Sequence, residues 1–156
     1  MLGSTCVFGV FGHPVSHSLS PTMHNAAIEA LGIDCVYVPF HVLPDDLPKA
    51  VDGVRGLGIV GVNVTIPHKE RIVDLLDEVG DYATRIGSVN TVTNREGFLR
   101  GDSTDGPGFL RSAETAWGSL SGCRTLILGA GGSARAVAFA LAERGCEIVI
   151  ANRTRE

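Results

Sequence analysis

Thr125-Leu126-Ile127-Leu128-Gly129-Ala130-Gly131-Gly132-Ser133-Ala134-Arg135 decides the fold. An apolar run breaks at a glycine turn and opens an alanine-rich helical run. A second apolar run, residues 147–151, follows. That order of strand, glycine turn, helix and strand is the setting a dinucleotide-binding βαβ unit requires. Gly129 permits the tight turn, Gly131 lets backbone approach a pyrophosphate, and Ala134 allows close helix–strand packing. The helix start offers free N–H groups to phosphate. After the second strand come Asn152-Arg153-Thr154-Arg155 and no acid. A carboxylate there would hold the ribose hydroxyls of NAD and repel a 2′-phosphate, whereas arginine grips it, so NADP is favoured.

Working outward, strand-like runs fall at residues 6–11, 35–40, 59–64, 89–93, 125–128 and 148–151, with 98–100 as a hairpin partner across Glu96-Gly97. Helices are predicted at 21–31, 45–53, 69–76, 107–117 and 133–144. Gly32, Gly53, Gly118 and Gly145 stand where helices should stop. The alternation predicts an α/β fold: an N-terminal domain whose mostly parallel sheet is flanked by helices on both faces, then the first βαβ unit of a Rossmann domain. The boundary falls near 105, where repeated βα-like units give way to the glycine-rich nucleotide unit 106–156, bridged by helix 107–117.

Composition narrows the function classes. The 156 residues carry a net charge of −4 and 19% charged residues. No broad basic surface is expected for nucleic acid or an anionic membrane. The N-terminus lacks a basic start, and no run reaches membrane-spanning length, so the cytoplasm is the expected compartment. Cys6, Cys35, Cys123 and Cys146 are far apart with no C-x-x-C pair and read as small core residues. His13, His17 and His24 are separated by Pro14 and Pro21, which breaks the spacing of a metal site. His17 and His24 are expected to brace a serine loop, His41 to be an ordinary strand residue, and His68 to orient its own loop.

Four further motifs sit at strand ends. Gly12-His13-Pro14-Val15-Ser16-His17-Ser18-Leu19-Ser20-Pro21 presents alternating hydroxyls suited to a polyhydroxylated or anionic ligand, and Pro21 is placed to start a helix. In Asn63-Val64-Thr65-Ile66-Pro67-His68-Lys69, Thr65 and Lys69 project at the carboxyl edge of the sheet, where open α/β sheets bind ligands. A lysine in a helix's first turn opposes the helix dipole, which makes a purely structural Lys69 unfavourable. In Gly87-Ser88-Val89-Asn90-Thr91, Asn90 is either a turn residue or a two-way hydrogen-bonding group for a ligand hydroxyl. In Gly101-Asp102-Ser103-Thr104-Asp105-Gly106, Asp105 is either a helix cap or the carboxylate partner of Lys69. A lysine–carboxylate pair around a substrate hydroxyl can steer its proton while hydride leaves the same carbon.

These motifs, in this order, resemble the shikimate dehydrogenase family from about Val7 to Thr154. The resemblance implies reduction of 3-dehydroshikimate to shikimate with NADPH, on the route to chorismate and the aromatic amino acids. It implies Ser18, Ser20, Thr65, Asn90 and Asp105 as substrate contacts and Lys69 as acid/base with Asp105 its partner. It implies Asp81, Gly129, Ala130, Gly131, Gly132, Ser133, Asn152, Arg153 and Thr154 at the cofactor, with no metal. A homodimer is compatible with it. Alternatives are an NAD-using quinate/shikimate dehydrogenase and a non-catalytic substrate-binding fragment. Ser103 departs from the family's usual asparagine, and Glu156 comes after one βαβ unit where the family's nucleotide domain has about six strands. The chain is therefore expected to be part of a longer enzyme, with little turnover alone.

Overall fold

The computed structural model describes residues 2–154; Arg155, the last of the arginine-rich tail read above, lies outside them. In chain order the elements are β1 (Cys6–Gly12), α1 (Ser20–Leu31), β2 (Cys35–His41), α2 (Leu47–Gly56), β3 (Gly61–Val64), β4 (Glu78–Val79), α3 (Asp81–Ile86), β5 (Thr91–Arg95), β6 (Phe98–Asp102), α4 (Asp105–Trp117), β7 (Arg124–Leu128), α5 (Gly132–Glu143) and β8 (Glu147–Ala151). The first six strands form one sheet in the order β2-β1-β3-β5-β6-β4, and β7 and β8 form a second. Three of the five pairings in the large sheet are parallel, which makes it mostly parallel. The antiparallel part comes from the β5–β6 hairpin. Its two turn residues, Glu96 and Gly97, both have positive φ, as the tight turn matching strand twist demands.

Strand alternation sends Phe11, Val62, Val64, Val92 and Leu99 to one face of the large sheet. There they pack with Leu47, Val51 and Val54 of α2 and with Ile72, Ala83 and Val89. On the opposite face Val10 and Tyr37 pack with Val15 and Ile28 beneath α1. Coverage of that second face stops at β1 and β2. Over β5 and β6 it stays open, with Thr93, Arg95 and Phe98 exposed. The expectation of helices over both faces thus holds for only part of the sheet.

Several expected elements differ. Residues 69–76 are not an α-helix but a series of turns ending in a 3-10 turn at Val73–Leu75. The cause is tertiary. The Lys69 carbonyl accepts from Val89 N at 2.8 Å instead of from the next helical turn. His68 is fully buried and Ile72 is pinned in the core. Gly53 does not stop α2, because Val54 beyond it faces the core and Arg55 is held by Asp77 and the Gly97 carbonyl. The chain turns at Gly58 (φ 64°) instead. The short β4 and α3 carried no periodicity long enough to flag. Cys6 is exposed and the other three cysteines are only part-buried, because each stands at or just before the first residue of a strand. His24 stacks on Tyr37 (centroids 4.3 Å apart), and among the described hydrogen bonds neither His17 nor His24 braces the serine loop. His41 is more than a strand residue, since its Nε2 lies 2.6 Å from His13 Nδ1.

Candidate active site

The carboxyl ends of β1 and β3 bring the two N-terminal motifs together. Thr65 N donates to the Phe11 carbonyl at 2.9 Å, and His13 N donates to the Ile66 carbonyl at 3.0 Å. Gly12 makes this approach possible: a Cβ there would stand 2.6 Å from the Thr65 methyl. In the loop after β1, Ser18 and Ser20 are both part-buried, and Ser20 N donates to Ser18 Oγ at 3.3 Å. His68 fixes the second loop from below through Nε2, 2.8 Å from the Val42 carbonyl. Burial pushes its pKa down, so the ring stays neutral and Nε2 carries the donated proton.

Lys69 and Asp105 meet. Lys69 Nζ donates to Asp105 Oδ2 at 2.5 Å, with the two side chains only 13% and 21% exposed. Thr104 is the N-cap of α4, and no side chain among the described residues caps that helix. Of the two readings of Asp105, the carboxylate is thus engaged by the lysine and not by the helix start. Its other oxygen, Oδ1, accepts from Asn90 Nδ2 at 2.7 Å. Asn90 Oδ1 in turn accepts from Thr104 N at 3.0 Å and from the Thr91 hydroxyl at 2.8 Å. Asn90 is more than a turn residue: it orients the carboxylate.

Behind Asn90 runs a support the sequence reading missed. Asn25 grips the Tyr37 backbone with both ends of its amide, at 2.8 and 2.9 Å. Burial pushes the Tyr37 phenol up to about 12, so it remains an O–H donor and gives its proton to Asn63 Oδ1 at 2.7 Å. That leaves Asn63 Nδ2 facing the Asn90 carbonyl at 3.3 Å. A polar relay therefore extends from α1 to the Lys69–Asp105 pair. The signal available in the sequence was only that Tyr37 and Asn63 are polar residues inside mostly apolar strands.

The glycine turn faces the same pair. Gly129 has φ 113°, open only to glycine at low strain, and its N–H donates to the Ala151 carbonyl at 2.8 Å. This ties the turn to the end of β8, beside Asn152, Arg153 and Thr154. Those three are exposed, and Asn152 Nδ2 donates to the Thr154 carbonyl. Gly132 presses on Ser88: a Cβ would stand 2.5 Å from Ser88 Oγ. The Ser133 hydroxyl also reaches the pair, 3.0 Å from Lys69 Nζ and 3.4 Å from Asp105 Oδ2. A cleft of about 430 Å3 runs between the units, lined by Ile66, Pro67, Lys69 and Glu70 on one side and by the glycine turn on the other. Arg135 of α5 forms an ion pair with Glu70 at 3.2 Å, a second tie between the units. Asp81 opens α3, is exposed, and makes no hydrogen bond with the glycine turn among the described residues. Among those residues, no group of three or more potential metal ligands is present.

Fold and site together define an α/β protein in which a substrate-type sheet meets a dinucleotide-type βαβ unit across a lysine–carboxylate pair. Residues 10–92 match the family model of the shikimate dehydrogenase substrate binding domain, and 111–156 match that of shikimate/quinate 5-dehydrogenase. The chain belongs to the shikimate dehydrogenase family. Shikimate dehydrogenase (NADP(+)) of Moorella thermoacetica is 56% identical over 154 residues, covering 98% of this chain and 52% of that protein. The shikimate dehydrogenase structure from Aquifex aeolicus superposes with TM-score 0.97 at 44% identity, over 100% of this chain and 59% of that one. The Thermus thermophilus enzyme, solved with NADP(H) and shikimate, gives TM-score 0.89 at 48% identity over 96% and 56%. The chain spans about half the length of the curated relatives it matches.

Proposed function

We propose that this chain carries the substrate site and the phosphate-binding turn of an NADP-dependent shikimate dehydrogenase, which reduces 3-dehydroshikimate to shikimate. The observation that carries the reading is the meeting of Lys69 and Asp105, 36 residues apart in sequence, at the mouth of a cleft walled by a dinucleotide-type turn. The Thermus relative solved with both ligands supports it.

On this reading Ser18, Ser20, Thr65 and Asn90 hold the substrate's hydroxyls and carboxylate. Lys69 donates a proton to the carbonyl oxygen as that carbon is reduced, and Asp105 holds the ammonium in place and stabilises its charge. Asn90, fixed by Thr91 and Thr104, keeps the carboxylate aimed. NADPH supplies the hydride when bound. The residues present fit it. Gly129, Ala130, Gly131, Gly132 and Ser133 form the turn and the start of α5, where free N–H groups suit phosphate. Gly132 lies so close over the buried Ser88 hydroxyl that a side chain there would collide with it, which keeps bare backbone at the turn. Asn152, Arg153 and Thr154 follow β8 without an acid, which favours a 2′-phosphate over free ribose hydroxyls. Asp81, exposed at the start of α3, is assigned to the cofactor side by the family resemblance alone.

Packing of Leu110 in α4 against Ala140 and Leu141 of α5 supports a division near residue 105, with 1–105 as substrate domain and 106–156 as nucleotide unit. The cytoplasm, where biosynthetic NADPH is held, is the compartment this reading implies. No helix among the described residues is long and apolar enough to cross a membrane. A homodimer belongs to the same reading and is checked by sedimentation.

Calorimetric titration with shikimate, NADP+ and NAD+ tests the proposal. Shikimate and NADP+ should each bind, NADP+ more tightly than NAD+. Absence of shikimate binding would contradict the substrate assignment, and equal affinity for the two nucleotides would contradict the phosphate clamp.

A further inference from the structure

The parallel register of β1 and β2 places Cys6 directly opposite Cys35. Neighbouring strands lie about 4.8 Å apart, inside the roughly 4.4–6.8 Å Cα separation that a disulfide accepts. Directly opposed residues project to the same side of a sheet, so the two sulfurs share one face. They share it at the amino ends of both strands, where Cys6 is exposed and Cys35 part-buried. The neighbouring backbone is held firmly. Cys6 N donates to the Asp34 carbonyl at 3.0 Å, and the Ser4 and Thr5 hydroxyls donate to the Asp34 carboxylate at 3.0 and 2.7 Å. Sequence alone hides the pair, because 28 residues, including all of α1, lie between its members.

We propose that Cys6 and Cys35 form a dithiol–disulfide site, open to exchange with low-molecular-weight disulfides such as oxidised glutathione. Burial first, then the Cys6 sulfur and the Asp34 carboxylate, push the Cys35 thiol above its ordinary value. Cys6, the exposed member, therefore attacks first. Its thiolate displaces one thiolate from the small disulfide and forms a mixed disulfide. The Cys35 thiolate then attacks the Cys6 sulfur, closes the Cys6–Cys35 bond and releases the second small thiolate. The two protons leaving the cysteines end on the two small thiols. The protein loses two electrons and the small disulfide gains them. The bond lies at the end of β1 remote from the Ser18–Ser20 loop, so the proposal stands apart from the reaction assigned above.

The other two cysteines provide a contrast within the same chain. Cys123 and Cys146 also precede paired parallel strands. Cys146, however, packs in the α4–α5 core, and its Sγ donates to the Leu120 carbonyl at 3.0 Å. It is turned away from exchange.

The native chain, incubated with oxidised glutathione, quenched by alkylation and mapped by peptide mass, should show a Cys6–Cys35 linked peptide and the loss of two hydrogens. Dithiothreitol should reverse both, while Cys123 and Cys146 remain alkylated. Cys6→Ser should abolish the linked peptide and leave Cys35 alkylated. The proposal is overturned if Cys6 and Cys35 both remain alkylated, if Cys6 stops at the glutathione adduct, or if Cys123–Cys146 is the linkage that forms.

Discussion

The six-stranded unit and the two-stranded unit carry the same kind of βαβ sequence but solve burial differently. In the first, Leu47, Ile72 and Leu99 are fully buried between sheet and helices. In the second, β7 and β8 are covered by α5 and α4 on one side only. On the bare side Leu126 and Leu128 remain 63% and 78% exposed, with Val149 half exposed. The small unit cannot owe its position to its own core. It is held by contacts with the large one: the Tyr82 hydroxyl donates to the Ala136 carbonyl at 3.0 Å, Tyr82 packs edge-on against Phe139, and Lys69 reaches Ser133. Structural stability therefore resides in the large unit, while the proposed chemistry depends on where the small one docks.

The sharpest separation between the two should appear in turnover. In the complete enzyme, with 3-dehydroshikimate and NADPH, Lys69→Ala should lower kcat by roughly 10²–10⁴-fold with substrate affinity much less changed. Near-wild-type turnover would remove Lys69 from the mechanism. Next in size is the core. Leu99→Ala should cost about 2–5 kcal/mol in urea unfolding, whereas Leu126→Ala on the bare face of β7 should stay within about 0.5 kcal/mol. Equal losses would mean that the two units share one core.

Gly106→Ala probes the docking itself. Its methyl would fall on the Tyr82 hydroxyl and stand 2.8 Å from the Ala136 carbonyl. A loss of about 1–3 kcal/mol is expected, accompanied by weaker NADP+ binding. A change in neither would show the units docked elsewhere.

The smallest effect is a pH dependence in the large unit. His68 has its folded-state pKa lowered by burial from the ordinary 6.5. The unfolded chain therefore takes up a proton first. The stability that neutral His68 contributes is fully present above pH 6.5 and is lost as pH falls below it toward the folded value. Melting temperature followed from pH 8 to pH 5 should show this fall, and His68→Gln should flatten it. An unchanged slope in the variant would place the proton uptake elsewhere.

Much of this was readable in advance where the signal was local. The glycine turn, the hairpin at Glu96-Gly97 and the helices after Ser20 and Gly131 follow from neighbouring residues. So does the placing of Lys69 and Asp105 at strand ends. What escaped depends on contacts between distant segments. The 69–76 stretch has helical spacing, but the Val89 amide takes the Lys69 carbonyl. The Asn25–Tyr37–Asn63 relay and the turn of Ser133 toward Lys69 exist only once β1, β2, β3 and α5 are assembled. The Cys6–Cys35 juxtaposition is likewise a product of strand register.

The account rests on Lys69 and Asp105 forming one ligand site with the serine loop. An amide NMR titration of the chain with shikimate tests this most directly. The predicted result is a set of shifts at Ser18, Ser20, Thr65, Asn90 and Asp105 that saturate together and vanish in Asp105→Asn. Shifts confined to other surfaces, or unchanged by that substitution, would contradict it.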